Sequence, residues 1–570
     1  MKYQLSIKSG NSRFLSINGV TETEGRKELY LQLPAWRPGR YEIGNFAKNI
    51  RLFAVSNEAG EALTYTKVNK DRWLISCDNA QEVRVSYEYY AATLDAGSTY
   101  CGIDLMYVNP VNCIMYDEAK ANQAFTVSLD IPDDWQIACS MHQEAKTLHA
   151  VNFDELADSP FIASPNLEHH VFETGGCDFH VWFNGKHKLD VPRFLEEAKQ
   201  YTDEQLKVFG DMESKSYHYL FHFLPTRVHH GVEHLNSTVI VMGPGDEFAQ
   251  EGRHHEFLAI SSHELFHYWN IKRIRPKSMF PYDYTKENYS QLGYVYEGVT
   301  TYYGDYMLLR SGVFSFEDYL GQLNTDLQKH FDNEGRYNYS VAESSWDTWL
   351  DGYVPGVPGR KNSIYTEGML SALMLDIEIR YATGNQKSLD DVMRSMYEDY
   401  KKGKAYDRDS YKATIEHIAG KDMEYFFRDF YEGRGNIEKF LPETLWSIGC
   451  ELVAESSPWA HESLYGFKMS EGQKLLVSVL CSNSPAEQAG LNLGDEIVLV
   501  NNVPVTGGTD WNDVFSTGGS LMAWNTIEGS KHVELLPNGT QYLKRYRLKK
   551  LKEVSDEQKS FFKAWSGHDF

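Results

Sequence analysis

Long apolar runs are missing from this 570-residue chain. No stretch approaches the roughly 18 uninterrupted apolar residues of a membrane-spanning helix, so none is expected. Positive charge is scarce: Lys and Arg number 56 against 80 Asp and Glu, a formal net charge of −24. Nucleic acid and anionic membrane both recruit positive patches, so neither is an expected partner. Cysteine is sparse as well. The seven, at 77, 101, 113, 139, 177, 450 and 481, form neither a CxxC pair nor a zinc-knuckle spacing. They read as reduced structural thiols, which fits the cytoplasm. The start, MKYQLSIKSG, alternates like a strand. It lacks the apolar core and cleavage site of a signal peptide. A cytoplasmic location is expected, with the periplasm left open. No internal repeat and no long low-complexity linker is seen.

What is present is a sharp motif at 263–267, His-Glu-Leu-Phe-His. On a helix, HExxH puts His263 and His267 one turn apart on one face, as two ligands of a tetrahedral zinc ion require. Glu264 then sits beside the open metal position as general base for water. Apolar residues Phe257, Leu258, Ile260, Leu265, Phe266 and Trp269 recur at helical spacing around it. Lys272, Arg273, Arg275 and Pro276 mark its end. Catalytic zinc needs a third protein ligand, and Glu297, 30 residues past His267, is the best candidate. Two His and one Glu leave the ion with one net positive charge, enough to lower the pKa of a bound water toward about 7. An oxyanion donor is also wanted. Tyr365 opens an amphipathic-looking stretch and is suitably placed, but among 37 tyrosines the residue pattern alone does not single it out.

The pattern along the chain predicts a multidomain α+β protein. Residues 1–175 form a β-rich domain, with short alternating runs at 3–7, 29–33, 83–87 and 125–131. Residues 176–455 are mostly helical, with strands at 217–224 and 237–243. The second of these is β-branched and offers an edge for an extended peptide. Composition shifts again at 456–550, and 551–570 reads as a C-terminal extension. His229-His230 and His254-His255 read as surface or supporting residues rather than a second metal site. Trp269 is expected behind the zinc helix, and Thr300 is expected to orient a ligand.

Five segments carry a family resemblance: LPAWRPGRY at 33–41, GVEHLNS at 231–237, HELFHYWNIKRIRP at 263–276, EGVTTYY at 297–303 and YTEG at 365–368. With them the chain resembles the bacterial glycyl aminopeptidase family, zinc metallopeptidases with a C-terminal PDZ domain, distantly related to aminopeptidase N. The resemblance implies a thermolysin-like catalytic domain (a gluzincin), one Zn²⁺ on His263, His267 and Glu297, and Glu264 as base and proton shuttle. It implies that Tyr365 serves the oxyanion. Gly231, Glu233 and His234 resemble the Gly-x-Met-Glu-Asn segment of aminopeptidase N, so Glu233 would hold the substrate's free α-amine. Without the resemblance Glu233 reads as a loop carboxylate. Small first residues, Gly or Ala, are the implied preference. One departure stands out. The family has Lys where this chain has Glu367, which is expected to alter the oxyanion surroundings or to pair with Arg360 or Lys361.

The segment 484–502 resembles a PDZ core, and Tyr465, Gly466 and Phe467 would form its carboxylate-binding loop. Two readings stand for that domain: capture of a peptide C-terminus, or packing alone. For the whole chain, an aminopeptidase acting on peptides with free N-termini leads. A zinc endopeptidase and a PDZ adaptor or chaperone with a relic zinc site are the rivals.

Overall fold

The computed structural model describes residues 1–570 apart from positions 10, 355, 436, 471, 473, 508, 510, 516 and 517. Its N-terminal part is β-rich, as expected. A seven-stranded sheet has Lys2–Ser9 near its centre, parallel to Phe125–Asp130 and antiparallel to Phe14–Glu22. Alternation in Phe14–Glu22 sends Leu15 and Ile17 inward. A four-stranded sheet built on Glu28–Gln32 and Arg72–Ser76 shares this core through Leu31, Trp73 and Ile75.

A five-stranded sheet follows, in the order Glu168–Thr174, Cys177–Asn184, Ser216–Phe223, Ser237–Gly243, Val228–Glu233. The strand at 168–174 pairs antiparallel with Cys177–Asn184, so the expected boundary at 175/176 falls inside a hairpin. That strand is polar and alternating, which made it read like the strands before it. The three central strands are parallel, and the return between the first two is made by the helix Val191–Phe209. Both faces of the sheet are covered. Phe221 and Ile240 meet the helices, whereas Leu220, Val239 and Val241 meet Tyr107, Ala138 and Ile162 of the N-terminal part. This double burial explains why Ser237–Gly243 is buried at every position and apolar from Val239 to Met242. It is an interior strand. The edge belongs to Val228–Glu233, which pairs only on one side.

The helical part packs against this sheet. Its central helix, Thr366–Thr383, has 14 of 18 residues buried. The stretch after Tyr365 is therefore buried all round rather than amphipathic, because other helices and the chain's last helix surround it. That last helix, Asp556–Ser566, sends Phe561, Phe562 and Trp565 into the core of the helical part. Trp565 Nε1 donates to Tyr302 Oη at 3.1 Å. Residues 551–570 are thus part of the main body rather than an extension. The strand pair Cys450–Glu455 and Arg545–Lys550 forms a stalk from which the intervening segment emerges. That segment has its own core of Tyr465, Phe467, Ile497, Val500, Met522 and Trp524. Among the described residues no helix is long and apolar enough to cross a membrane.

Candidate functional site

The helix Glu251–Phe266 carries His263 and Glu264 in its last turn, and His267 caps it in a right-handed helical conformation. His263 Nε2 lies 3.1 Å from His267 Nε2, which lies 3.4 Å from Glu297 Oε2. One ligand atom from each of the three residues falls within 4.8 Å of the others. An ion bonded at about 2.0–2.2 Å to each demands such closeness. His267 Nδ1 sits 2.6 Å from the Asn270 carbonyl, which can only accept. In neutral His267 the proton is therefore on Nδ1, and the Nε2 lone pair faces His263 and Glu297. Asn270 is in turn fixed by its amide, which donates to Thr300 Oγ1 at 3.1 Å. Thr300 acts on the ligand through Asn270, not by touching it.

Glu297 enters from a π-helical turn, Tyr294–Val299, that continues into the helix Thr300–Ser311. The extra residue in such a turn re-aims a side chain, and these turns recur at functional sites. Gly298 fixes its position. A Cβ there would lie 2.4 Å from the Gly368 Cα, and one on Gly368 would lie 2.6 Å from the Gly298 Cα. Backbone thus meets backbone, which sets the turn bearing Glu297 against the helix that starts after Tyr365.

Glu233 ends the edge strand Val228–Glu233, so it stands on a strand and not in a loop. It and Glu264 are buried, and Glu233 Oε1 and Glu264 Oε2 have no hydrogen-bond partner. Gly231 explains their closeness: a Cβ at 231 would lie 2.1 Å from Glu264 Oε1. Glu233, Glu264 and His267 form a second cluster with ligand spacing. The first is the better ligand set, because two imidazoles and a carboxylate suit zinc and leave Glu264 free. His234 is turned toward the N-terminal part, with Nδ1 donating to Asp158 Oδ1 at 2.9 Å. Lys272 Nζ pairs with the same carboxylate at 2.7 Å.

The electrostatics follow from burial. Desolvation pushes the Glu264 carboxyl well above its ordinary range, and Glu233 and Glu297 add to it. Burial also raises Glu297. Burial lowers His263 well below the usual imidazole value. It would lower His267 too, but Glu297 and Glu233 outweigh it and carry that group to about 9. Three crowded carboxylates beside two imidazoles make a place that a cation would relieve.

Tyr365 lies at the start of its helix and is 37% exposed as a residue. Its hydroxyl is nonetheless crowded, and desolvation first, then Glu297, hold the proton on it. Glu367 faces the other way. It accepts from His330 Nδ1 at 2.6 Å, and both side chains are buried. Arg360 pairs with Asp347 and Asp351, and Lys361 with Asp351, so the expected pairing of Glu367 with either is not formed. Two residues along a helix is about 200° around it, which removes Glu367 from the Tyr365 side.

The N-terminal part supplies residues to which the sequence assigned no role at the site. Tyr41 donates to Glu297 Oε1 at 2.8 Å. Gly39, at φ +82°, sits so close to Glu233 that a Cβ would be 2.7 Å from Oε2. The signal was the WRPGRY run at 36–41, which reads locally as a turn with a buried tryptophan. Of the other residues singled out, Trp269 stacks on Phe209 at 4.6 Å behind the motif helix. His254 hydrogen-bonds Glu197 at 2.5 Å, and His230 Nδ1 accepts from the Ala96 N–H at 3.3 Å. Tyr465 and Phe467 are buried in the core of the C-terminal unit, flanking Gly466 at φ +78°. The N–H groups of Leu464, Tyr465 and Gly466 donate to Ala460 and Glu462 carbonyls and are spent on that turn.

Comparisons with known proteins fit this geometry. Residues 2–165 match the peptidase M61 N-terminal domain, and residues 256–371 match the M61 glycyl aminopeptidase domain. No curated protein matches the chain. A crystal structure of an aminopeptidase N family protein from Idiomarina loihiensis superposes with a TM-score of 0.90 at 24% identity, over 99% of both chains. An M1 zinc metallopeptidase from Deinococcus radiodurans, in a mutant form bound to a Tyr-Ser-Ala substrate, aligns at 12% identity and a TM-score of 0.47. That alignment spans 76% of this chain and 93% of the other. The fold is thus that of the Idiomarina protein from end to end, and the chain carries the N-terminal and catalytic domains of the M61 glycyl aminopeptidases, a peptidase family.

Proposed function

We propose that the protein is a zinc-dependent aminopeptidase that removes small N-terminal residues, Gly or Ala, from peptides. The observation that carries this reading is the pair of unpartnered buried carboxylates, Glu233 and Glu264, beside the His263–His267–Glu297 group. The donor set fits zinc, and those three residues would hold it. A bound zinc ion would supply Lewis acidity toward a carbonyl and toward water.

The chain's own residues then divide the work. Glu233 would pair with the substrate ammonium, and this fixed charge pair would register only the first peptide bond over the base. Glu264 would take a proton from the attacking water and deliver it to the leaving nitrogen. Its raised proton affinity suits the carrying step. Tyr365, protonated, would donate to the oxygen that gains charge. The edge strand Val228–Glu233 offers backbone groups to an extended peptide running antiparallel to it, with the peptide N-terminus at Glu233. The Gly preference rests on the family description alone, and Ala extends it to the next smallest side chain.

The C-terminal unit reads as a PDZ domain that packs rather than binds, since the Tyr465 and Gly466 N–H groups of its candidate loop are spent on the turn. The test is direct. Glu264→Gln should abolish turnover and retain zinc by metal analysis. N-terminal acetylation of a peptide should protect it. Full activity in Glu264→Gln defeats the reading, and cleavage of acetylated peptides makes the protein an endopeptidase.

A further inference from the structure

Arg37 is 5% exposed, and its Nη1 is sealed from water with no hydrogen-bond partner. Among the described residues its guanidinium forms no ion pair. Asp95, the nearest acid by charge effect, is already taken: it accepts from the Gly97 N–H and from Ser98 Oγ, both at 2.9 Å. The guanidinium lies flat on Gly97, where a Cβ would come within 1.9 Å of its Cζ. A buried guanidinium with no direct ion pair is costly, because arginine does not escape by losing its proton.

Its place in the cleft is informative. Arg37 precedes Gly39, which touches Glu233, and lies on the same turn as Tyr41, which holds Glu297. Its guanidinium rests on Gly97, and the preceding Ala96 N–H donates to His230 Nδ1 at 3.3 Å, so Arg37 lies beside His230. His230 lies three residues before Glu233 on the edge strand, roughly 10 Å away at about 3.4 Å per residue. A peptide antiparallel to that strand, with its amine on Glu233, therefore heads toward Arg37 with its leaving portion.

We infer that Arg37 is a specificity residue that pairs with the C-terminal carboxylate of a short substrate, so that the enzyme favours tripeptides with a free acid end. This rests on the aminopeptidase reading above. A carboxylate, unlike a neutral carbonyl, compensates the full charge of the guanidinium, and the pair can be bidentate. A dedicated cation is also what an anionic peptide end needs in a cleft crowded with Glu233, Glu264 and Glu297.

The test compares Gly-Ala-Ala with Gly-Ala-Ala amide, using the full-length zinc-loaded protein. Wild type should prefer the acid by about ten- to a hundredfold in kcat/KM, mostly through KM, as expected of a charge-assisted contact. In Arg37→Gln that ratio should collapse toward one, and Arg37→Lys should restore part of it. Equal rates on acid and amide in wild type overturn the inference and leave the aminopeptidase reading standing. So does an Arg37→Gln variant that slows both substrates in parallel, which marks a purely structural cation. Failure to cleave either substrate defeats both readings together. The wild-type comparison decides the matter even where Arg37→Gln does not fold.

Discussion

The Tyr41 hydroxyl donates to Glu297 Oε1 at 2.8 Å, across a sequence separation of 256 residues. The N-terminal part is thereby built into the candidate metal-ligating group. Supporting hydrogen bonds of this kind orient a ligand and tune its affinity, and losing one typically costs ten- to a hundredfold. Tyr41→Phe should weaken zinc binding by about that factor in a chelator competition titration. An unaltered affinity would show that Glu297 is placed by its own helix alone.

Gly231 makes a sharper prediction about the base. Gly231→Ala places a Cβ 2.1 Å from Glu264 Oε1, so one of them must move. A misplacement of about 1 Å is enough to cost on the order of a hundredfold. Activity should fall by that order while zinc content holds. Normal turnover in the variant would mean that Glu264 reaches its water from another direction.

Gly298 and Gly368 predict a stability effect. Either replaced by Ala must push two helices apart, and overpacking of this kind costs about 1–3 kcal/mol. The melting temperature should fall in Gly368→Ala, with a loss of activity because Glu297 and Tyr365 ride on the separated elements. A variant as stable as wild type would show that the contact is slack.

The buried link between Asp158, His234 and Lys272 joins the two parts behind the site. Lys272 holds the Asp158 carboxyl below its usual range against the opposing effect of burial. Asp158→Asn leaves Lys272 charged and unpaired, at a cost of about 3–5 kcal/mol. Denaturant unfolding should show it. A change under about 1 kcal/mol would mean that water already compensates Lys272.

Buried neutral histidines give the pH dependence. Burial lowers His218, His222 and His461 to about 3. The unfolded chain takes up these protons near 6.5 and the folded chain only near 3. Above about 6.5 neither state binds them and stability is unaffected. As pH falls below about 6.5 the unfolded state gains protons and stability declines. Melting temperature should drop between pH 6.5 and 5, before most carboxylates titrate. His222→Gln should make the slope shallower. A flat profile over that window would contradict the burial of these rings.

Local chemistry made much of this legible. HExxH spacing needs only one helical turn, so His263, Glu264 and His267 could be read directly, and Glu297 followed from ligand stoichiometry. The β-rich start and the helical middle came from periodicity. Other features depend on partners remote in the chain. Glu233 looked like a loop acid because the strand Val228–Glu233 is short and polar, and only pairing with Ser237–Gly243 makes it a sheet edge. Glu367 seemed adjacent to Tyr365, whereas helix geometry aims it at His330.

The sequence by itself determined the donor atoms and their spacing within single elements, because those depend on covalent geometry and helical pitch. Only the tertiary structure decided which distant residues close around them. Tyr41, Gly39 and Arg37 sit on a turn whose local pattern says nothing of the candidate zinc ligands some 220 to 260 residues away. Burial of two β-rich faces against each other brings them there, and contact between remote surfaces has no period that a linear pattern can display.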